Sequence, residues 1–328
     1  MYCSGVNPTK MMAKDFDMFW KFFPAAATRM LFLKVTGKKL RSPLYAGHKV
    51  INQNAGNEVL KTALYGNAPF MFGRHGSNEL VCAGNALMKE KNIIQNIDCK
   101  KIENNCLCSG LFPNDEETIL KFNKLIIEAS EECDLYGTFR MVWEDYYIKH
   151  YMKKDVILTH LNMMDFWRYE EPFTLALKGK KVLVIHPLAY QIEHQYEKRE
   201  KLFLNPNTLP EFELKVIPAV QTIAGERDSR FPTWFDALDY MYEETKKVDY
   251  DVALLGCGAY GMPLAAKIKK DGKQVIYMGG VLQMLFGIRG SRWDAIPEAA
   301  AMYNEYWEFP DPKLRPKNAV KVEGGCYW

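Results

Sequence analysis

The C-terminal half of the chain carries the plainest hydrophobic pattern. Lys180 to His186 (KKVLVIH), Glu213 to Ile217, Tyr250 to Leu255 and Gln274 to Met278 are short apolar runs. Continuous runs of this length read as strands buried on both faces. Between them, apolar positions recur at helical spacing. Pro187 opens a helix that continues to about Leu202. Pro232 to Val248 is a helix with Trp234, Leu238, Met241 and Tyr242 on its apolar side, and Pro263 to Lys270 is another. Buried strands alternating with helices specify an α/β fold: a Rossmann-like, mostly parallel sheet with helices on both faces. Ligands bind such sheets at the carboxyl ends of the strands. The loops of interest are therefore 73–79, 186–199, 218–231, 256–262 and 279–293.

The N-terminal half is less regular. Asn54 to Tyr65 places Val59, Leu60, Ala63 and Leu64 on one side of a short helix. Pro69 to Phe72 is a brief strand that ends at Gly73. Ser77 then caps a helix with Leu80, Val81, Ala83, Leu87 and Met88 inward. Asn92 to Asn114 is polar and strand- or loop-like. Asp115 to Cys133 is helical, with acidic residues 115–117 at its positive end. Thr138 to Trp143 is a candidate strand. Residues 1 to about 50 show no clear period and read as an N-terminal extension, which leaves 51–328 as one domain.

Composition narrows the class. At 48% hydrophobic, the 328 residues supply a large core. Forty-three basic residues against 40 acidic give a formal charge of +3, no excess that points to nucleic acid. The eight cysteines form no C-x-x-C pair and the six histidines have no zinc spacing, so the cysteines read as reduced thiols of a cytoplasmic protein. No apolar run reaches the ~18 residues of a transmembrane helix, and no secretory signal pattern opens the chain. Met18 to Val35 is aromatic and basic, interrupted by Lys21, Pro24 and Arg29. Two placements stay open: peripheral contact at the inner face of the plasma membrane, or a helix packed on the domain or in a homo-oligomer interface.

Candidate chemistry begins at GCGAYG, residues 256–261. A dinucleotide fold needs an acidic residue at the end of the next strand to hold the ribose. Here that strand ends Tyr277-Met278-Gly279-Gly280, so no NAD is expected and an oxidoreductase is a lesser alternative. Gly256, Gly258 and Gly261 permit close backbone approach, and the helix opening near Met262 turns free N–H groups toward the loop. That suits a diphosphate, while a turn that binds nothing remains the bland alternative. Arg289 and Arg292 flank Gly290-Ser291 and suit phosphate oxygens or surface ion pairs. Tyr260 and Trp293 are stacking residues for a base or sugar, or core.

Several stretches together resemble a bacterial family associated with surface polysaccharides and grouped with GT-D-type glycosyltransferases. They are FMFGRHGSNEL, LKGKKVLVIHP, QYEKREKLF, DVALLGCGAYGMPLAAKIKKDGK, GGVLQMLFGIRGSRW and VEGGCYW. The resemblance implies a nucleotide-diphosphate sugar donor and a glycan, lipid-linked or protein acceptor. It also implies an Arg-x-Gly-Asp-x-Glu element whose carboxylates hold Mg²⁺ or Mn²⁺. The aligned residues here are Arg74, Gly76, Ser77 and Glu79. Ser77 stands where the family has aspartate, and a hydroxyl with one carboxylate is a weak set for a hard cation. Asp228 and Asp294 are candidates for the missing charge, and Arg74, Arg289 and Arg292 for replacing the metal altogether. Glu79 is the first candidate for the base, and the only residue assigned to a metal; His186 is the second base. Gln195, Arg199 and Gln283 are further substrate-binding candidates. A non-catalytic nucleotide-sugar-binding or scaffold member is the alternative that Ser77 keeps open.

Overall fold

The apolar runs become the strands of a nine-stranded sheet in the computed structural model, which describes residues 24–38 and 44–328. In chain order they are β1 (Leu44–Tyr45), β2 (His48–Ile51), β3 (Phe70–Gly73), β4 (Leu135–Thr138), β5 (Ile157–His160), β6 (Lys181–His186), β7 (Glu213–Pro218), β8 (Val252–Leu255) and β9 (Gln274–Tyr277). Across the sheet they run β1-β2-β5-β4-β3-β9-β8-β6-β7. Every pairing is parallel except that of β1 with β2. The expected α/β class and mostly parallel sheet are what the chain adopts.

Helices cover both faces. They are α1 (Pro24–Thr36), α2 (Gln53–Tyr65), α3 (Ser77–Glu90), α4 (Cys99–Ser109), α5 (Glu116–Glu132), α6 (Glu144–Tyr151), α7 (Ala189–Tyr196), α8 (Arg199–Leu202), α9 (Trp234–Lys246), α10 (Gly261–Lys270), α11 (Val281–Leu285), α12 (Ser291–Asp294) and α13 (Pro297–Ala300). Strand side chains alternate between two cores, as a pleated strand requires. Met71, Leu183, Leu255 and Tyr277 meet α3, α5, α9 and α10 on one face. Phe72, Val184, Leu254 and Ile276 meet α2, α7, α11 and the C-terminal segment on the other.

Four features depart from the sequence pattern. Within Asn92–Asn114, α4 forms where a strand or loop was expected: Asp98 accepts from the Lys101 amide, and Gly110 at φ 72° ends the helix. Its few apolar positions hid the period. The strand expected over Thr138–Trp143 lies earlier, at β4; Arg140 (φ 56°) and Trp143 (φ 73°) turn the chain into α6 instead. β5 had no counterpart in the sequence pattern. The sheet begins at Leu44, inside the expected extension, and α1 is tied to α6 by an Arg29–Asp145 ion pair. Residues 18–23 lie outside the described residues. Along 24–35, Leu31 and Val35 are exposed. Among the described residues no helix is long and apolar enough to cross a membrane.

Candidate functional site

The sheet reverses its winding beside β9. The loops after its neighbours β3 and β8 lead to α3 and α10 on one face, while the loop after β9 leads to α11 on the other. Such a switch point opens a crevice at the carboxyl ends of the strands. Here the crevice is closed by its own walls and leaves no room for a water molecule. His75, Gly76 and Glu79 form one wall, Ala259 and Met262 the opposite one, with Tyr277 and Ile126 between.

The three glycines of GCGAYG do different work. At Gly256 an added Cβ would lie 2.4 Å from His186 Cδ2, and at Gly261 one would lie 2.1 Å from the Tyr277 ring. Both close approaches are internal packing. Gly258 is the exception: it sits at φ +58° with no heavy atom within 4 Å of a Cβ built there. Its carbonyl accepts from the Tyr277 hydroxyl at 2.7 Å. The middle glycine thus presents open backbone at the head of α10. Cys257 beside it is buried, and burial pushes its thiol up to about 12. Tyr277 fills the end of β9 where a dinucleotide fold would carry its acid.

Arg74 lies beside the crevice, against Tyr277 and Gly279. Its guanidinium lies over the Tyr277 ring at 4.7 Å, and its Nη2 lies 2.0 Å from where a Cβ on Gly279 would sit. No salt bridge to it forms among the described residues. Burial works against its charge, but Tyr277, Tyr327 and Glu79 outweigh that and hold the guanidinium above its ordinary value; Arg292 opposes them. Arg292 is held by the last residues of the chain: its Nη2 donates to Cys326 Sγ at 3.0 Å and its guanidinium lies over Tyr327 at 4.6 Å. Tyr327 in turn covers Gly280.

The remaining candidates separate. Glu79 is the third residue of α3, and its carboxylate folds back against Gly76, the N-cap. There it packs against the turn on the crevice wall. Ser77 is the first helical residue and is exposed; it does not cap the helix as expected. His186 is buried and its Nδ1 accepts from the Leu188 amide at 3.0 Å. The neutral ring therefore carries its proton on Nε2 and presents a donor there. Burial lowers His186 to about 3, so the ring stays neutral. Tyr260 stacks on Trp234 at 4.4 Å and its hydroxyl meets Thr222, so it is core and offers no face to a base. Trp293 is likewise buried. Arg289 is wedged between Tyr303 and Phe309 and bonded to Asp294, which makes it a clamp on the C-terminal segment. Gln283 donates to the Arg289 and Tyr327 carbonyls, and Gln195 to those of Gly287 and Tyr306; both are buried ties between segments. Arg199 lies over Tyr196 and beside Glu200 and Glu211, away from the crevice.

A divalent metal does not fit the donors at Glu79. Asp228 is gripped by Arg230 through both carboxylate oxygens, and Asp294 serves Arg289. Both ring nitrogens of His75 are already engaged, by Tyr136 and Ser130. Among the described residues no three His, Cys, Asp or Glu side chains gather as a metal set. Sequence reasoning missed Tyr277 and Tyr327, since a buried tyrosine beside a glycine turn carries no signature of its own.

Two solved structures are similar to this chain. One is described as domain of unknown function 1792, at 12% identity and a TM-score of 0.46. The other is described as showing that this highly conserved domain has a distinct glycosyltransferase fold, at 11% identity and a TM-score of 0.44. Each match covers 83% of this chain and 95% of the other. No family model and no curated protein matches.

Proposed function

We propose that the chain is a glycosyltransferase that uses a nucleotide-diphosphate sugar and a cell-surface glycan, lipid-linked or protein acceptor, with arginine where its relatives use a metal. The observation that carries this is Arg74, a half-buried guanidinium at the switch point, braced by Tyr277 and Gly279 and with no salt bridge among the described residues. A cation held this way is set for an anionic ligand. Arg292 lies within its electrostatic reach. Gly258 adds open backbone before the positive N-terminal end of α10, where the Gly261 N–H is already given to the Gly258 carbonyl and Pro263 has none, so the helix dipole contributes more than its amides. The motif set quoted above supports the same class.

As the bond from the sugar carbon to the diphosphate oxygen breaks, negative charge gathers on the leaving diphosphate. Fixed guanidiniums and backbone donors stabilise that charge without having to reorganise. Glu79, on the crevice wall, is the carboxylate to accept the proton of an attacking hydroxyl in an inverting transfer. His186 is assigned the role of a hydrogen-bond donor through Nε2–H. Ser77 in place of aspartate is the observation favouring a second reading, a member that binds the donor without turning it over.

Release of nucleoside diphosphate from UDP- and GDP-sugar donors, with a CMP-sugar as the monophosphate control, in EDTA tests the two. Turnover that persists in EDTA and falls in Arg74→Gln supports the transferase. Binding without turnover, in the presence of varied acceptors, supports the non-catalytic member. Neither binding nor turnover overturns both.

A further inference from the structure

Arg29 fastens α1 to the domain. Its guanidinium pairs with Asp145 at the start of α6 and lies over the ring of buried Tyr45 at 5.2 Å. Arg140, in the loop that leaves the carboxyl end of β4, lies over the same ring at 5.0 Å. β4 is the neighbour of β3, so α1 is tied to the same edge of the sheet as the Arg74 loop. Past Arg29 the helix stops burying its apolar side chains. Ala27 is fully buried, but Leu31 and Val35, four and eight residues on, are 40% and 75% exposed. Helical spacing sets Lys34 on the same face, and Lys38 follows just past Gly37. Both lysines are exposed, and neither forms a salt bridge among the described residues.

The surrounding sequence carries charge of one sign. Pro24 to Asn57 holds six lysines and arginines and no aspartate or glutamate, while the rest of the chain is net acidic. That pattern decides what covers the face. A second copy docking symmetrically would set the same lysines against each other, and like charges repel. A nucleic acid would answer the lysines but leave Leu31 and Val35 in water. An anionic bilayer answers both. Aliphatic side chains enter the headgroup boundary, lysine stems follow, and the ammonium groups stay among the lipid phosphates.

We infer that this face of α1, Leu31, Lys34 and Val35 with Lys38 beside them, docks the protein reversibly on an anionic lipid bilayer. Two aliphatic side chains bury too little surface to anchor a protein alone, so the apolar and the basic residues are both needed. Because α1 is tied to the carboxyl edge of the sheet, docking brings that edge to the lipid surface. Among the three acceptor classes this selects the lipid-linked one. The choice of acceptor rests on the transferase reading above; the docking does not.

Flotation of the full chain with vesicles of phosphatidylcholine, alone or mixed equally with phosphatidylglycerol, tests the docking without any nucleotide. The expected result is binding to the mixed vesicles only, weakening as salt rises. The double variants Leu31→Ser/Val35→Ser and Lys34→Glu/Lys38→Glu should each weaken binding about tenfold or more. All four side chains are exposed, so Tm should hold. Lys246→Glu/Lys247→Glu, the same charge change on exposed lysines of α9, should bind as wild type. No binding to the mixed vesicles, equal binding to phosphatidylcholine alone, binding that either α1 variant leaves intact, or a loss that the α9 variant shares would each overturn the inference. So would a dimer in sedimentation velocity that Leu31→Ser/Val35→Ser dissolves, or capture of a single-stranded RNA oligonucleotide, in place of vesicle binding. Vesicle binding by a protein that binds no nucleoside diphosphate refutes the function proposed above and leaves the docking standing.

Discussion

Gly258→Ala separates a glycine that binds from one that merely turns. The residue sits at φ +58° with open space where a Cβ would go. An alanine there meets no neighbour, so its cost to folding is the left-handed backbone alone, about 1–2 kcal/mol. In a chain of this size that lowers Tm by a few degrees. Gly272, in the turn between α10 and β9 at the other end of the sheet, is the matched control: φ +83° and again nothing within 4 Å. Its alanine variant should lose a similar amount of stability. Only at Gly258 does the new methyl enter the space assigned to the diphosphate, so only Gly258→Ala should also lose binding, by about tenfold or more, equal to ~1.4 kcal/mol. Thermal melts and calorimetric titration with UDP and GDP read both effects. If Gly258→Ala binds as wild type, or if Gly272→Ala weakens binding equally, the middle glycine is only a turn.

His186 predicts a pH dependence. Its folded value, about 3, is depressed from an ordinary 6.5, so its contribution to stability is present above 6.5 and is lost as pH falls toward 3. The gap is worth about 5 kcal/mol at most. Urea melts between pH 7 and 3.5 should show a steeper loss for wild type than for His186→Gln; parallel curves would contradict the buried neutral imidazole. Gln195→Ala leaves the Gly287 and Tyr306 carbonyls without their shared donor and should cost about 1–3 kcal/mol in urea melts while nucleotide affinity is unchanged. A selective loss of affinity would instead restore Gln195 as a ligand contact.

The sheet was legible where burial on both faces made strands uniformly apolar, as in KKVLVIH. It was illegible at α4, whose inward face includes Asn105 and Ser109. The switch point was half legible. The glycine pattern and Arg74 were visible, but what each glycine touches depends on Tyr277 and His186, brought in from other strands. Spacing along a helix misled for Gln195 and Arg199. The first is buried beneath the C-terminal segment and the second lies in an exposed ion pair. Arg289 and Arg292 look equivalent in GIRGSRW, yet one is wedged between Tyr303 and Phe309 while the other lies within electrostatic reach of Arg74. The buried contacts from Glu144 through Tyr136 to His75 were invisible because a glutamate at a helix start reads as an ordinary cap, and only the fold sets it behind His75.

Calorimetric titration of UDP, GDP and CDP into the wild-type protein and Arg74→Gln, all in EDTA, tests the central claim most directly. A metal-independent diphosphate site predicts that one nucleoside diphosphate binds the wild type with chelator present and that Arg74→Gln weakens it at least about tenfold, the least expected of a lost charge-assisted contact. Binding that requires Mn²⁺ or Mg²⁺, or binding that Arg74→Gln leaves intact, would contradict it.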